Sequence, residues 1–293
     1  MKENKKLWAN LALLLTAAIW GSGFVFQKFA TEELGSWFIV ASRFTIAGAI
    51  TAIMTRKKFH LIDREYLIGG LWIGATVAIG TWLQVAAMQL GTSPGKSAFL
   101  TAAYCVMVPF LAWIVMKERP QKNHLAAAAI CLAGVGLISL NGSGGMTAGD
   151  GLTLLCSVMF GINLICISKY SRGRDPMLLT MLQIVACAIF GWIGLLFEGM
   201  PETVSLNGAG NILYLAVFST AGALSLQTFG LKHTNPTVAT IMLSLESVFG
   251  VLFSVLLYGE RITMRIGIGF AVVFGAIVLS QLEMGSPKDS LSE

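Results

Sequence analysis

The sequence carries little charge for its length. Only 12% of its 293 residues are charged, whereas 55% are hydrophobic, and the mean hydropathy is +0.75. A soluble globular domain carries about 25% charged residues. The composition therefore excludes an ordinary water-soluble enzyme or binding domain, and it indicates a protein that lies mainly in a lipid bilayer.

Motifs of common catalytic and cofactor sites are also missing. The chain has no GxxxxGK[ST] phosphate loop, no HExxH helix and no GxSxG turn. Its five cysteines lie in apolar stretches without CxxC spacing, and we interpret them as small packing residues. We therefore expect no enzymatic activity, no cofactor and no metal.

Long apolar runs are what the sequence does contain. A transmembrane helix needs roughly 20 mainly apolar residues. The predicted fold is an all-α integral membrane protein with ten transmembrane helices. The first run follows lysines, as in a secretory signal, but it continues to Phe26, which favours an uncleaved span. The ten predicted spans are Leu7 to Phe26, Trp37 to Met54, Tyr66 to Met88, Lys96 to Met116, His124 to Leu140, Gly151 to Ser168, Met177 to Phe197, Asn211 to Leu231, Thr237 to Tyr258 and Met264 to Leu282.

The basic residues predict the orientation. With the N-terminus in the cytoplasm, the cytoplasmic segments collect most of the Lys and Arg residues, and the opposite side holds Lys28, Arg261 and Arg265. These cations lie in short connectors rather than on a basic face, so the net charge of +5 does not indicate a nucleic-acid partner. We expect a multi-pass protein of the cell membrane with both termini cytoplasmic.

The two halves of the chain resemble each other. At an offset of 142 residues, Pro94 matches Pro236 and residues 117–119 (KER) match residues 259–261 (GER). At an offset of 143, Leu83–Gln84 matches Leu226–Gln227. The sequence therefore predicts an internal repeat.

Each predicted repeat has five spans, and an odd number inverts the second copy relative to the first. We predict a first repeat over residues 1–141 (spans 1 to 5), an inverted second repeat over 142–283 (spans 6 to 10) and a disordered cytoplasmic tail over 284–293. Inverted repeats are typical of secondary transporters, because two similar packings of the halves can expose one midplane site to either side.

Several short motifs also carry a resemblance. They are WGSGF from Trp20 to Phe24, SRF around Arg43, the TSP and TNP that open spans 4 and 9, and the Glu-Arg pairs that follow those spans. In this order and spacing the sequence resembles the EamA-type members of the drug/metabolite transporter superfamily. The resemblance implies two inverted five-helix repeats around a central cavity and export of small metabolites, often amino acids.

Glu246 is the sharpest candidate for a functional residue. A carboxylate near the middle of a span costs at least about 2.5 kcal/mol, so we expect it to face a cavity or a partner rather than lipid. It could couple transport to protons or bind a substrate amine, or it could only link two helices. Tyr104 occupies the matching position of the first half.

Arg43 lies near one end of span 2. It could pair with Glu246, bind a substrate carboxylate with two hydrogen bonds, or anchor the helix at the headgroups. Lys96, near the start of span 4, is interpreted as a lysine that extends to the membrane surface.

Further polar side chains recur at membrane depth. Trp20, Phe24 and Gln27 share one helical face, as do Ser97, Thr101 and Tyr104. Such groups could line a cavity for a small amphipathic solute, or they could join neighbouring helices. The predicted substrate-binding residues are Trp20, Arg43, Gln84, Tyr104, Asn163, Gln183, Gln227 and Glu246.

Three functions follow from these patterns. The favoured one is a secondary transporter that exports an amino acid or a similar amphipathic solute by alternating access, with protons as a possible coupling ion. A passive facilitator or exchanger without proton coupling could use the same fold. A membrane enzyme or lipid-handling protein would need clustered catalytic residues at one interface, and the sequence contains no such cluster.

Overall fold

The computed structural model describes residues 2–117, 119–139, 146–234 and 236–281. Ten helices in this part of the chain are long and apolar enough to cross a membrane. The protein is therefore an all-α, multi-pass membrane protein. A short 3₁₀ helix, Arg56–Leu61, follows span 2. The spans are Lys2–Thr31, Ser36–Thr55, Arg64–Gln89, Pro94–Ala102 with Tyr104–Met116, Lys122–Ser139, Ala148–Tyr170, Pro176–Glu198, Leu206–Tyr214 with Leu215–Gly222 and Ala223–His233, Pro236–Ser244 with Glu246–Phe253 and Ser254–Tyr258, and Met264–Gln281.

The ten predicted spans coincide with these helices, although several helices are longer than predicted. Span 8 begins at Leu206 rather than at Asn211. Its first turn is rich in Gly and Asn, which resembles a loop, but the Ser205 hydroxyl caps it by accepting from the Gly208 amide at 3.0 Å. The predicted boundary between the halves at 141/142 and the predicted tail 284–293 lie outside the described residues.

Spans 4 and 9 are both interrupted, and at matching positions. The interruptions fall at Ala103 and at Leu245, 142 residues later. In each, the amide donates to a carbonyl three residues back at 3.3 Å, which tightens one turn. Tyr104 and Glu246 each begin the second segment. The second segment of span 4 contains Pro109, and the helix continues through that residue.

The contacts between the two halves come in matched pairs. Span 1 packs on spans 8 and 9, and span 6 packs on spans 3 and 4. Spans 2 and 7, spans 4 and 9, and spans 5 and 10 each pack on one another. The contacts of span 1 thus have their counterparts in those of span 6, and the other three pairs join matching spans, so the two halves interlock instead of forming separate bundles.

Small residues allow these helices to approach closely. Gly70 and Gly74 of span 3 face span 7, as their GxxxG spacing predicts. A methyl group on Gly70 would lie 2.6 Å from the Leu182 Cβ, and one on Gly74 would lie 2.5 Å from the Ala186 Cβ. Neither distance is possible without moving a helix, so these two glycines fix the packing of span 3 on span 7.

The outer surface of the bundle is apolar, as a lipid-facing surface requires. Large hydrophobic side chains on several spans are exposed, among them Leu132, Leu196 and Phe197. Many hydroxyl groups inside the bundle are satisfied within their own helix, because they donate to a carbonyl three or four residues earlier. Thr51 and Ser225 are examples. This pairing lowers the cost of hydroxyl groups at membrane depth.

Candidate functional site

Arg43 is the centre of a polar cluster inside the bundle. Its Nε donates to the Thr220 Oγ1 at 2.8 Å, its Nη1 to the Gln27 Oε1 at 3.1 Å and its Nη2 to the Ser219 Oγ at 3.4 Å. All three acceptors are neutral. None of the three ion pairs among the described residues includes Arg43, so the pairing with Glu246, one of the three alternatives for this residue, is absent from this conformation.

The cluster continues from Arg43 through other spans of the first half. The Gln27 amide donates to the Gln84 Oε1 at 2.9 Å, and the Gln84 amide donates to the Thr101 hydroxyl at 3.0 Å. Gln27, Gln84 and Thr101 are all buried. This chain of hydrogen bonds connects spans 1, 2, 3 and 4, and it ends one helical turn before Tyr104.

Trp20 joins the same cluster from span 1. Its indole N–H donates to the backbone carbonyl of Ser219 at 3.0 Å. Ser219 and Thr220 belong to the π-helical segment of span 8, Leu215–Gly222. A π-helical turn changes the normal α-helical pairing of carbonyl groups, and such turns occur frequently at functional sites.

Glu246 lies at the interruption of span 9 and is buried, with a fractional exposure of 8%. No described residue forms a hydrogen bond or an ion pair with its carboxylate. Tyr104 and Cys105 of span 4 lie within electrostatic range of it. The two matching interruptions therefore place Tyr104 and Glu246 in one region, between the halves of the protein.

The remaining three predicted residues lie outside the hydrogen-bonded cluster around Arg43. The Asn163 amide on span 6 donates to the Ile73 carbonyl and to the Thr76 hydroxyl of span 3, both at 3.1 Å, so it links two helices. Gln183 on span 7 and Gln227 on span 8 are partly buried. Within the described part of the chain, neither side chain shares a hydrogen bond with the Arg43 cluster.

Some members of the cluster were absent from the predicted list. Gln27 and Thr220 lie on polar helical faces, which is a sequence signal, but hydroxyl and amide groups also join helices for structural reasons alone. Ser219 gives no such signal. Ser219 contacts Arg43 from within the π-helical turn, and the local sequence does not predict that turn.

The ends of several spans on one face of the bundle carry buried or capping carboxylates. The Lys96 ammonium lies 2.8 Å from the Asp150 carboxylate, whose side chain has no exposed surface. The interpretation of Lys96 as extending to the membrane surface is therefore wrong. The Glu198 carboxylate accepts from the Ser36 amide at 2.8 Å and from the Trp37 amide at 2.7 Å, and so caps span 2. Glu260 accepts from the Gly95 amide at 3.0 Å.

The opposite face carries a more exposed pair. Lys58 lies 2.5 Å from Asp175, which caps span 7 by accepting from the Leu178 amide at 3.0 Å. Burial tends to raise the pKa of Asp175. The hydrogen bonds from Lys58 and Leu178 and the charge of Lys58 outweigh burial, so the pKa lies below its ordinary value. Among the described residues, no three His, Cys, Asp or Glu side chains come together as metal ligands.

Sequence comparison connects this architecture to known proteins. The sequence profile of the EamA-like transporter family matches residues 7–140 and, a second time, residues 147–282. The chain belongs to the EamA-like transporter family. Two EamA-like repeats therefore account for nearly all of the chain, in agreement with the matched helix interruptions.

Individual relatives of this EamA-like transporter have similar names. The chain is 30% identical over 280 residues to an uncharacterized transporter of Archaeoglobus fulgidus, with 96% of this chain and 88% of the relative covered. It is 24% identical to the uncharacterized inner membrane transporter YedA of Escherichia coli (strain K12), with 92% and 90% covered. A crystal structure of a protein shares the fold, with a TM-score of 0.67, 16% identity and 93% and 96% coverage.

The family and these names point to a transporter of small molecules rather than to an enzyme. Like these relatives, the protein acts in a membrane. The polar cluster between the halves is accordingly the candidate binding site of this EamA-like transporter.

Proposed function

We propose that this EamA-like protein is a secondary transporter that exports an amino acid, or a similar amphipathic solute, across the cell membrane by alternating access. One observation carries the proposal. Arg43 and Glu246 are opposite charges inside the bundle, and within the described residues neither has an oppositely charged partner. A zwitterionic solute would supply both partners at once.

The guanidinium of Arg43 still has free bonding capacity. It carries five N–H donors, and its three hydrogen bonds use one donor on each nitrogen. One N–H on each terminal nitrogen therefore remains without an acceptor among the described residues. A carboxylate can accept from both terminal nitrogens, which is the strongest pairing that arginine forms.

Glu246 has the complementary requirement. An isolated carboxylate at membrane depth is costly, so it needs a proton, a cation or a polar partner. A substrate ammonium group would provide that partner, and a proton could replace the substrate after release. Glu246 is therefore the proposed binding residue for the amine and the proposed proton-coupling residue.

The other predicted side chains complete the proposed cavity. Trp20 and Tyr104 would contact apolar parts of the solute, and Gln84 would hydrogen-bond to it from the Arg43 cluster. Asn163, Gln183 and Gln227 would line the cavity wall farther from the two charges. All eight predicted residues thus keep a role in this proposal.

The mechanism that we propose uses the repeat. Two EamA-like repeats with five spans each are related by inversion, with residues 1–141 and 142–283 as the two units. The matched interruptions at Ala103 and Leu245 and the paired contacts between the halves support this relation. Similar halves can exchange their packings, and this exchange would open the cavity to either side in turn. The basic connectors favour cytoplasmic termini.

A liposome assay tests the proposal. Purified protein is reconstituted, and efflux and uptake of a pool of amino acids are measured with and without an imposed pH gradient. We expect transport that responds to the gradient in the wild type. Glu246→Gln should lose that response, and Arg43→Gln should lose transport of amino acids.

Matched variants control for the loss of a charge alone. Glu202→Gln and Arg172→Gln make the same chemical changes at exposed positions, and we expect wild-type transport from both. Transport that ignores both the gradient and Glu246→Gln would contradict proton coupling and would favour a passive facilitator or exchanger. Absence of transport for every amino acid in the pool would contradict the substrate class.

A further inference from the structure

The π-helical segment of span 8 distinguishes the second half from the first. Over Leu215–Gly222 the hydrogen bonds reach back five residues instead of four. The amide of Ala223 donates to the Phe218 carbonyl, five residues back, and also to the Thr220 carbonyl. The Thr220 hydroxyl donates to the Leu215 carbonyl at 2.8 Å. Span 3, the counterpart of span 8, is a continuous α-helix over Arg64–Gln89.

The two spans also differ by one residue in sequence. Before the π-helical segment, Leu71 matches Leu213 at an offset of 142, and each is followed by an aromatic residue. After it, Leu83–Gln84 matches Leu226–Gln227 at an offset of 143. One residue has therefore been added to span 8 between these matches. A single extra residue inside an α-helix is accommodated as a π-helical turn.

The added residue bears directly on the polar cluster. Ser219 and Thr220, both within the π-helical segment, supply two of the three acceptors for Arg43. The Ser219 carbonyl also accepts from Trp20. At the corresponding level of span 3, Thr76 instead accepts from the neutral Asn163. Span 8 thus contributes acceptors to a cation, whereas its counterpart, span 3, bonds to a neutral amide at this level.

We propose that Thr220 is a positioning residue for substrate binding. Presented by the π-helical turn, it holds the Nε of Arg43 and leaves one N–H on each terminal nitrogen to receive a carboxylate. The extra residue in span 8 is then the structural origin of an anion subsite at Arg43, between the two repeats. This inference rests on the proposed function for its substrate, but the placement of Arg43 can be measured without any ligand.

The first test observes the guanidinium directly. In protein labelled with ¹⁵N-arginine in detergent micelles, the Nε–H signal of Arg43 is identified as the signal that Arg43→Lys removes. A hydrogen-bonded, partly buried Nε–H should exchange slowly with water. Thr220→Val deletes the acceptor at nearly constant shape, so we expect fast exchange or loss of the signal. Thr220→Ser keeps the hydroxyl and should preserve slow exchange.

A second test uses the added residue itself. The side chain of Phe218 is exposed. Deleting this residue should convert the π-helical turn to α-helix, and the later residues of span 8 should keep their orientation toward the neighbouring helices. The variant should remain folded but lose the slow Nε–H signal. Deletion of Ile79, an exposed residue of the uninterrupted span 3, is the matched control. It rotates all later residues of that helix by about 100°, so we expect a failure to fold.

Transport assays of Thr220 variants then test whether the positioning of Arg43 affects the specificity for a substrate carboxylate. For a pool of amino acids, Thr220→Val should raise the KM about tenfold, as the loss of a hydrogen bond to a charged group predicts, with little change in kcat. Thr220→Ser should restore the wild-type KM. The corresponding amino acid amides lack the carboxylate, so their KM should not respond to Thr220→Val.

The outcomes separate the two proposals. An Nε–H signal of Arg43 that exchanges fast in the wild type, or that Thr220→Val leaves unchanged, overturns the positioning role whatever is transported. The expected signals without transport of any amino acid would support the positioning role and overturn the substrate class. Unfolding on deletion of Phe218 would overturn the reading of the π-helical turn as an added residue.

Discussion

Removal of the Lys96 ammonium should destabilise the protein strongly. In the structure this ammonium lies 2.8 Å from Asp150, and the two side chains are 15% and 0% exposed. The second carboxylate oxygen of Asp150 is buried and has no hydrogen-bond partner in the described structure. Lys96→Met keeps most of the side-chain volume and leaves a buried carboxylate without any compensating charge.

The magnitude follows from this burial. Breaking a buried ion pair by removal of one partner costs about 3–5 kcal/mol. For a chain of this size, that cost corresponds to a fall in Tm on the order of 5–10 °C. Lys58→Met is the matched control, because its pair with Asp175 is far more exposed, at 44% and 26%. Exposed pairs contribute about 0–1 kcal/mol, so we expect a shift of at most about 2 °C.

Thermal unfolding of purified protein in detergent, followed by tryptophan fluorescence, measures both shifts. The double variant Lys96→Met, Asp150→Leu removes the isolated charge, and it should recover most of the lost Tm because the two sites are coupled. A Lys96→Met variant that unfolds within about 2 °C of the wild type would refute the argument. It would mean that water or another group already compensates the Asp150 carboxylate.

Three further predictions concern other contacts. Glu198→Ala removes the acceptor of the free amides at the start of span 2, and it should cost about 1–2 kcal/mol, measured as a fall in Tm. Asp175 has a lowered pKa, so its ionised form stabilises the fold above its unfolded pKa, and this stabilisation disappears as the pH falls through the folded value. Asp175→Asn should therefore lower the Tm at pH 7, but the variant and the wild type should converge in acid, once the pH has fallen below the lowered pKa of Asp175. Gly74→Leu would place a side chain where even a methyl group lies 2.5 Å from the Ala186 Cβ, and it should greatly reduce the yield of monodisperse protein on size-exclusion chromatography, whereas Gly210→Leu, at an open position, should not.

Several features of the fold could be predicted because they depend on local chemistry. A helix that crosses the hydrocarbon core must be about 20 residues long and apolar, so the ten spans are visible in the sequence. The repeat is visible because both halves retain matching prolines and Glu-Arg pairs at a nearly constant offset. That offset also pairs Tyr104 with Glu246, and the structure places an interruption immediately before each of them.

Other features could not be predicted from local sequence. Lys96 was expected at the membrane surface, but its partner Asp150 is 54 residues away along the chain. The acceptors of Arg43 come from span 1 and span 8, and they meet only when those helices pack beside span 2. Span 8 also contains a π-helical turn over Leu215–Gly222, whose apolar sequence resembles that of an ordinary transmembrane α-helix.

The sequence by itself determined the membrane class, the number of spans and the twofold repeat of this EamA-like protein. These properties follow from the thickness of the bilayer and from residues compared along one chain. Only the tertiary structure decided which polar groups meet, because the rotation of each helix about its axis and the choice of its neighbours depend on packing between helices. In a bilayer, lipid and apolar side chains solvate a helix about equally well, so the apolar pattern does not select partners. Close contacts at glycine and hydrogen bonds between spans select them instead.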